Sequence, residues 1–150
     1  MMKISDVLNG DELSRLAART VKVGDVYKMT MTEVNGIKPK AGDSSRDKYF
    51  VVLGFDAEGV AYGGVIINSQ INKNLPGHIK MYHMPVKQSK YPFLRYDSFV
   101  DCIQLKRAYP HKFNEWSYLG EMDAYDVELI IGTIKESPRE SAEHLAQYGL

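Results

Sequence analysis

Two apolar runs, residues 49–55 (YFVVLGF) and residues 60–67 (VAYGGVII), decide the fold of this 150-residue chain. Both runs are rich in β-branched and aromatic residues, which favour strands, and residues 56–59 supply a turn between them. We therefore predict a β-hairpin at the centre of a sheet. Gly63 and Gly64 interrupt the second run and predict a bulge or a sharp bend. Small barrels use such irregularities where a strand bends from one part of the sheet to the next.

Shorter strand-like segments flank this hairpin. Residues 26–31 alternate between apolar and polar side chains, which is the period of a half-buried strand. Residues 79–86, 91–96 and 98–105 predict three further strands, and the polar stretch 34–47 predicts a long loop of a kind that is often functional. Five or more short strands favour a small barrel over alternating strands and helices.

The first twenty residues contain the pattern of a short helix. Leu13, Leu16 and Ala17 recur at helical spacing, and Asp11 in front of them is a good N-cap residue. We predict that this helix packs across the barrel as part of an N-terminal extension that spans residues 1–22.

The C-terminal third contains a second helical pattern. Asp123 provides an N-cap, and the apolar positions behind it follow the i, i+3, i+4, i+7 spacing of an amphipathic helix: Val127, Ile130, Ile131 and Ile134. We predict that this helix closes a barrel domain spanning residues 23–136. Ser137 and Pro138 predict the cap and first turn of a last short helix within a C-terminal segment 137–150.

Composition and charge exclude several classes of protein. A hydrophobic share of 44% and a charged share of 25% are typical of a globular protein and not of a disordered chain. Nineteen basic and nineteen acidic residues cancel, so net charge alone does not draw the molecule to nucleic acid. The single cysteine, Cys102, lacks the neighbours of a zinc site, and we expect neither a metal nor another cofactor. No apolar run suits a signal peptide or a bilayer span, so we expect a cytoplasmic protein without membrane contact.

The basic residues are distributed unevenly along the chain. Residues 59–96 contain no Asp or Glu but seven basic or titratable nitrogen side chains: Lys73, His78, Lys80, His83, Lys87, Lys90 and Arg95. Tyr82, Tyr91 and Phe93 interleave with them and could stack exposed bases, as single-stranded RNA is commonly held. This segment predicts an RNA-binding face. The simpler interpretation is an edge strand that its lysines protect against aggregation.

The order of these parts resembles the PemK/MazF family of toxin–antitoxin ribonucleases, which are small SH3-like barrels closed by a C-terminal helix. The resemblance covers residues 23–134 and rests on six segments: 24–26, the long loop 34–47, 50–53, 66–70, 98–103 and 123–134. It implies a mostly β protein, a small SH3-like barrel of the PemK/MazF/CcdB-like type, with a C-terminal amphipathic helix and a short N-terminal helix.

The resemblance also implies two catalytic residues. In the family, a basic residue before the second strand and a hydroxyl residue at the end of the third carry RNA cleavage, and by position these are Lys48 and Ser69. The family usually has Arg followed by Pro at the first position, whereas here Lys48 precedes Tyr49 and Arg46 lies two residues upstream. Arginine presents a planar fork that stays protonated, while lysine is a mobile point charge.

RNA cleavage through the 2′-hydroxyl requires a base, an acid and stabilisation of the charge that develops on the phosphorane oxygens. Lys48, or Arg46 bending inward, would stabilise that charge, while Ser69 and the amides around Asn68 would orient the phosphate. The residues predicted to bind RNA are Arg46, Asn68, Gln70, Lys73, His78, Lys80 and Lys87. The simpler interpretation is that Lys48 is a solvated charge at a strand start and that Ser69 belongs to a turn.

Three functions are compatible with these patterns. The first is a homodimeric, metal-independent endoribonuclease that cleaves single-stranded RNA and is neutralised by a cognate antitoxin. The second is a non-catalytic SH3-like module that binds nucleic acid or protein and has lost the nuclease site. The third is a gyrase poison, which is known for a related toxin family on this fold.

Overall fold

The computed structural model describes residues 9–40 and 42–150 of the chain. In chain order its elements are α1 (Gly10–Thr20), β1 (Asp25–Met31), a 3-10 turn (Glu33–Asn35), β2 (Arg46–Phe55), β3 (Tyr62–Asn68), α2 (Gly77–Lys80), β4 (His83–Val86), β5 (Ser98–Ala108), a second 3-10 turn (Pro110–Glu115), β6 (Ser117–Glu121), α3 (Ala124–Glu136) and α4 (Ala142–Ala146).

The strands form one six-stranded antiparallel sheet in the order β4-β5-β3-β2-β1-β6, which curls into a half-barrel. The predicted central hairpin is confirmed, because β2 and β3 pair with Phe50 opposite Ile66. The predicted irregularity is also confirmed, because the register of β3 against β5 shifts between Gly64 and Ile66. The mostly β class that the sequence predicts is therefore correct.

The close approach of β2 and β3 requires glycine at position 64. A Cβ there would collide with the carbonyl oxygen of Val51 and press on the ring of Phe50. Without a side chain, the two strands can bend sharply against each other, and the sheet curls at this point.

The curled sheet buries a separate core on each face, because successive residues of a strand point to opposite sides. On one face, Val51 and Leu53 pack beneath α3 through Val127, Ile130 and Ile134. The second core lies on the other face and includes Phe50, Val52 and Ile66 of the central hairpin, with Ala17 of α1 over the sheet. Both helices that the sequence predicts to pack on the sheet are present.

Two of the predicted strands are wrong. The first two residues of the expected 79–86 strand, Ile79 and Lys80, belong to α2 (Gly77–Lys80), and only His83–Val86 is extended. Residues 91–96 form turns, in which the amide of Tyr91 donates to the carbonyl of Lys87 and the amide of Leu94 to that of Tyr91. Pro76 and Pro92 lack the amide donors of a sheet ladder and favour these local turns.

The N-caps of two helices differ from the prediction, and the N-cap of a third agrees with it. Asn9, and not Asp11, caps α1 by accepting the amide of Glu12 at 2.9 Å. Asp123 caps α3 as predicted. The last helix begins after Ser141 and not at Ser137, whose hydroxyl instead donates to the carbonyl of Ile103 on β5.

The predicted loop 34–47 is shorter than expected. Its first residues belong to the 3-10 turn Glu33–Asn35, and β2 already begins at Arg46, so of the described residues only 36–40 and 42–45 lie between these two elements. Across the described ranges, no helix is both long and apolar enough to cross a membrane.

We expect Gly64→Ala to lower the free energy of unfolding by about 1 to 3 kcal/mol, because its Cβ has no space between the paired strands. The matched control is Gly132→Ala in α3, where a Cβ meets nothing within 4 Å and should stabilise the helix by about 0.5 to 1 kcal/mol. Urea unfolding of both variants measures the difference. Equal effects of the two alanines would contradict this account of the sheet.

Candidate functional site

Lys48 lies at the start of the central hairpin, where the second core ends. It points to the same face of β2 as Phe50 and Val52, but its side chain is only half-buried because α1 covers the other end of this face. Its ammonium Nζ donates to Oδ1 of Asn68 at the end of β3, at 2.7 Å. The structure therefore brings together two of the residues that the sequence singles out.

Strand β5 adds an acid and a further base to the same face. Asp101 pairs with Ile66 and Lys106 pairs with Gly64 in the β3–β5 register, so both point to the side of the sheet on which Lys48 lies. Arg46 lies two residues before Lys48 on β2. We call Arg46, Lys48, Asn68, Asp101 and Lys106 the basic cluster.

The basic cluster carries more positive than negative charge. Burial lowers the pKa of Lys48, neighbouring Arg46 lowers it further, and only Asp101 acts in the opposite direction. Burial also lowers the pKa of Lys106, and Asp101 again opposes the shift. Glu140 also opposes the shift of Lys106, so three cations face two carboxylates in a partly desolvated place, and the surplus positive charge is an environment that a bound anion stabilises.

The connection between β1 and β2 is anchored beside this cluster. The side-chain amide of Asn35 donates to the carbonyl of Arg107 on β5 at 2.8 Å, and the carbonyl of Val34 accepts from the guanidinium of Arg107. Lys40, further along this loop, lies close enough to Lys48 to contribute to its lowered pKa. The loop therefore adds positive charge to the cluster.

The other predicted site residues take no part in the hydrogen bond between Lys48 and Asn68. Ser69 and Gln70 are exposed just beyond the end of β3. Lys73, His78 and Lys87 are exposed and Lys80 is half-buried, on the segments that surround the short edge strand β4. Their roles in catalysis and RNA binding stay predictions.

Part of the predicted RNA-binding face has a different role. Tyr91, expected to stack on bases, is 6% exposed, and its hydroxyl donates to Asp126 in the first turn of α3. Burial and this hydrogen bond raise the pKa of Tyr91 to about 12. Lys90 forms ion pairs with Asp123 at 2.7 Å and with Asp126 at 2.9 Å. The expectation that Tyr91 stacks on bases is wrong, because Tyr91 is buried and, together with Lys90, binds the acidic residues at the N-terminus of α3.

One further titratable side chain, His83, lies next to the basic cluster in the sheet. The Nδ1 atom of His83 lies 2.9 Å from the carbonyl oxygen of Lys80, and His83 pairs with Asp101 in the β4–β5 register. In the part of the chain that the structure describes, no three His, Cys, Asp or Glu side chains gather closely enough to hold a metal ion.

The sequence interpretation missed Asp101 and Lys106 as members of the site. Residues 98–105 were predicted to be a strand, but β5 extends to Ala108, and its register against β3 is shifted by the bulge near Gly64. Simple alternation from Asp101 would assign Lys106 to the opposite face. The pairing partners in the folded sheet are therefore needed to bring the two residues together.

Comparisons with known proteins identify a similar fold but no matching family. No family model matches the chain, and a search of the curated proteins finds no match. Among solved structures, a chain in the crystal structure of MazE–MazF from Deinococcus radiodurans is similar, with a TM-score of 0.51 and 11% sequence identity. The similarity covers 76% of this chain and 92% of the other. The protein therefore has a MazF-like fold.

The electrostatic account predicts opposite shifts for two variants. Arg46→Ala should raise the pKa of Lys48, because it removes a like charge, whereas Asp101→Asn should lower that pKa further, because it removes an attractive one. Side-chain NMR titration of the lysine Nζ and Cε signals measures both shifts. Lys28→Ala, an exposed lysine on the opposite face of β1, is the control and should leave the pKa unchanged. Shifts of the same sign in Arg46→Ala and Asp101→Asn would refute the account.

Proposed function

We propose that this chain is the toxin of a toxin–antitoxin pair, a MazF/PemK-like endoribonuclease with an SH3-like barrel that cleaves single-stranded RNA without a metal ion. The observation that carries the proposal is the contact between Lys48 and Asn68, in a half-buried cluster with surplus positive charge on a MazF-like fold. A cluster of this kind suits a phosphate group.

In the proposed reaction, the 2′-hydroxyl of the RNA gives up its proton to solvent water and attacks the adjacent phosphorus while the bond from phosphorus to the 5′-oxygen breaks. The products are a 2′,3′-cyclic phosphate and a 5′-hydroxyl. Lys48 and Arg46 stabilise the charge on the phosphorane oxygens, and the hydroxyl of Ser69, with the amides around Asn68 and Gln70, orients the phosphate.

The hydrogen bond to Asn68 leaves Lys48 free to act on a substrate. An ammonium group has three N–H donors, of which Asn68 accepts one, so two can reach phosphate oxygens. The lowered pKa of Lys48 also makes its ammonium a stronger acid than an ordinary lysine. We assign Lys48 to charge stabilisation and to protonation of the departing 5′-oxygen.

The exposed basic residues extend the site along the RNA. Lys73, His78 and Lys87 lie exposed around β4, with Lys80 half-buried beside them, and we assign them to sugar–phosphate contacts. Such contacts position a strand without reading its sequence.

The partner that we propose is a cognate antitoxin. The similar solved structure is that of a MazE–MazF complex, which supports a partner of this kind. The surplus positive charge of the basic cluster suits an extended segment with acidic side chains that covers the site. We further propose that the toxin is a homodimer.

We expect the purified protein to cleave single-stranded RNA in the presence of a chelator. Lys48→Ala should lower the cleavage rate by about 100-fold or more, because it removes a preorganised donor for the developing charge, and Ser69→Ala should also abolish cleavage. Lys28→Ala is the matched control, with an exposed lysine on the opposite face, and should retain full activity. Cleavage that survives both Lys48→Ala and Ser69→Ala would refute the assignment of these residues.

Induced expression of the chain should arrest bacterial growth, and co-expression of an antitoxin-sized reading frame beside its gene should restore it. The readout is colony formation before and after induction, with Lys48→Ala as the inactive control. Unimpaired growth with soluble protein present would argue against a toxin of either kind.

The alternative is a non-catalytic module that binds nucleic acid or protein at the same cluster. The specific observation in its favour is that Ser69 is exposed and takes no part in the hydrogen bond that joins Lys48 to Asn68. Binding of RNA that depends on Lys48, without any cleavage, would favour this function. Growth arrest without RNA cleavage would instead favour a gyrase poison.

A further inference from the structure

A cavity of about 670 Å³ lies outside the basic cluster, between α1, the second 3-10 turn and the strands β1 and β6. Leu13 and Leu16 of α1 form one wall, and Tyr27 of β1 lies at the centre of the sheet side. Its volume falls within the range of pockets that bind small molecules. None of its lining residues belongs to the proposed nuclease site.

The cavity has an unusually aromatic wall. The ring of Tyr27 lies 6.1 Å from Phe113, 5.5 Å from Trp116 and 5.5 Å from Tyr118, measured between ring centroids. Trp116 is half-buried and Tyr118 is 58% exposed, so these two rings are open to the cavity, whereas Tyr27 is 3% exposed and belongs to the second core. The faces of such rings attract cations through their quadrupole.

A buried carboxylate lies next to these rings. Asp25 is only 6% exposed, yet it lines the cavity. Its Oδ2 accepts the backbone amide of Lys22 at 2.9 Å and the hydroxyl of Tyr27 at 3.4 Å. Within residues 9–40 and 42–150, no group donates a hydrogen bond to its Oδ1. No buried side-chain oxygen or nitrogen of these residues lacks a partner, so Oδ1 is accessible to solvent, and a ligand that donates a hydrogen bond can replace the water there.

The remaining charged groups support a ligand of positive charge. Glu121 also lines the cavity and pairs with Asp25 in the β1–β6 register, so two carboxylates lie on this side. Lys22 is the one cation among the lining residues, and its side chain is exposed. Burial and Asp25 raise the pKa of Tyr27, so that its phenol stays neutral and keeps its proton for Asp25.

We propose that this cavity binds a small organic ammonium compound, whose N–H group donates to Oδ1 of Asp25 and whose apolar body packs against Trp116 and Tyr118. The aromatic faces and the carboxylate act together, because both stabilise the same positive charge once it leaves water. This site is independent of the proposed RNA cleavage.

The chain offers its own probe, since Trp116 is its only tryptophan and lines the cavity. Titrating the full chain with phenethylamine, which is an ammonium ion at neutral pH, should produce a saturable change in tryptophan fluorescence. The uncharged analogue 2-phenylethanol has nearly the same size and should bind at least about tenfold more weakly. Equal binding of the two compounds, or no saturable change with phenethylamine, would overturn the proposal.

Three variants test the assigned residues. Asp25→Asn keeps an oxygen for the amide of Lys22 but removes the charge, and should weaken phenethylamine binding by about tenfold or more. Tyr118→Leu, at an exposed position, should weaken it through the loss of one ring, without disturbing the core. Lys22→Ala should leave binding unchanged or tighter, because it removes a like charge.

The controls separate this site from a misfolded chain and from an anion site. Lys28→Ala should bind phenethylamine as the parent chain does, and far-UV circular dichroism confirms that each variant is folded. If Asp25→Asn is poorly folded, Tyr118→Leu and the comparison with 2-phenylethanol decide the question. Weaker binding in Lys22→Ala, or unchanged binding in a folded Asp25→Asn, would refute an ammonium site.

Discussion

The antiparallel register between β2 and β3 is the constraint on which the rest of the structure depends. Because side chains alternate along β2, the pairing of Phe50 with Ile66 also sends Lys48 to the same face, beside Asn68. A shift of one residue would turn Phe50 toward α3 and Lys48 away from Asn68. One register thus defines both a hydrophobic core and a polar site at its margin.

The two faces of the sheet have different roles: one is closed by hydrophobic packing, and the other also carries the charged groups of the candidate site. The face beneath α3 is closed by apolar contacts, and Lys90 with Tyr91 fastens the helix at its N-terminus. The other face is covered by α1 over only part of its area. At the margins of that cover, charged groups are half-desolvated, and burial therefore lowers the pKa of Lys48 and raises that of Tyr27.

Much of the fold follows from local pattern, and the exceptions have a physical cause. The hairpin, β1 and α3 were predictable, because their hydrophobic periods are strong and their turns and caps are local. Residues 91–96 were not, because Tyr91 looks like a strand residue until Asp126, 35 positions away, provides a partner for its hydroxyl. Likewise, Lys48 and Asn68 were predictable from strand ends, whereas Lys106 depends on the bulge that shifts β5 against β3.

The sequence by itself determined the mostly β class, the central hairpin and the closing helix. Periodicity and turn chemistry are encoded within a few residues, so they need no knowledge of distant contacts. Only the tertiary structure decided that Asp101 and Lys106 join Lys48, and that Asp25 meets four aromatic rings in one cavity. Those groups come from separate strands and turns, and their proximity depends on strand register and helix packing rather than on any local pattern.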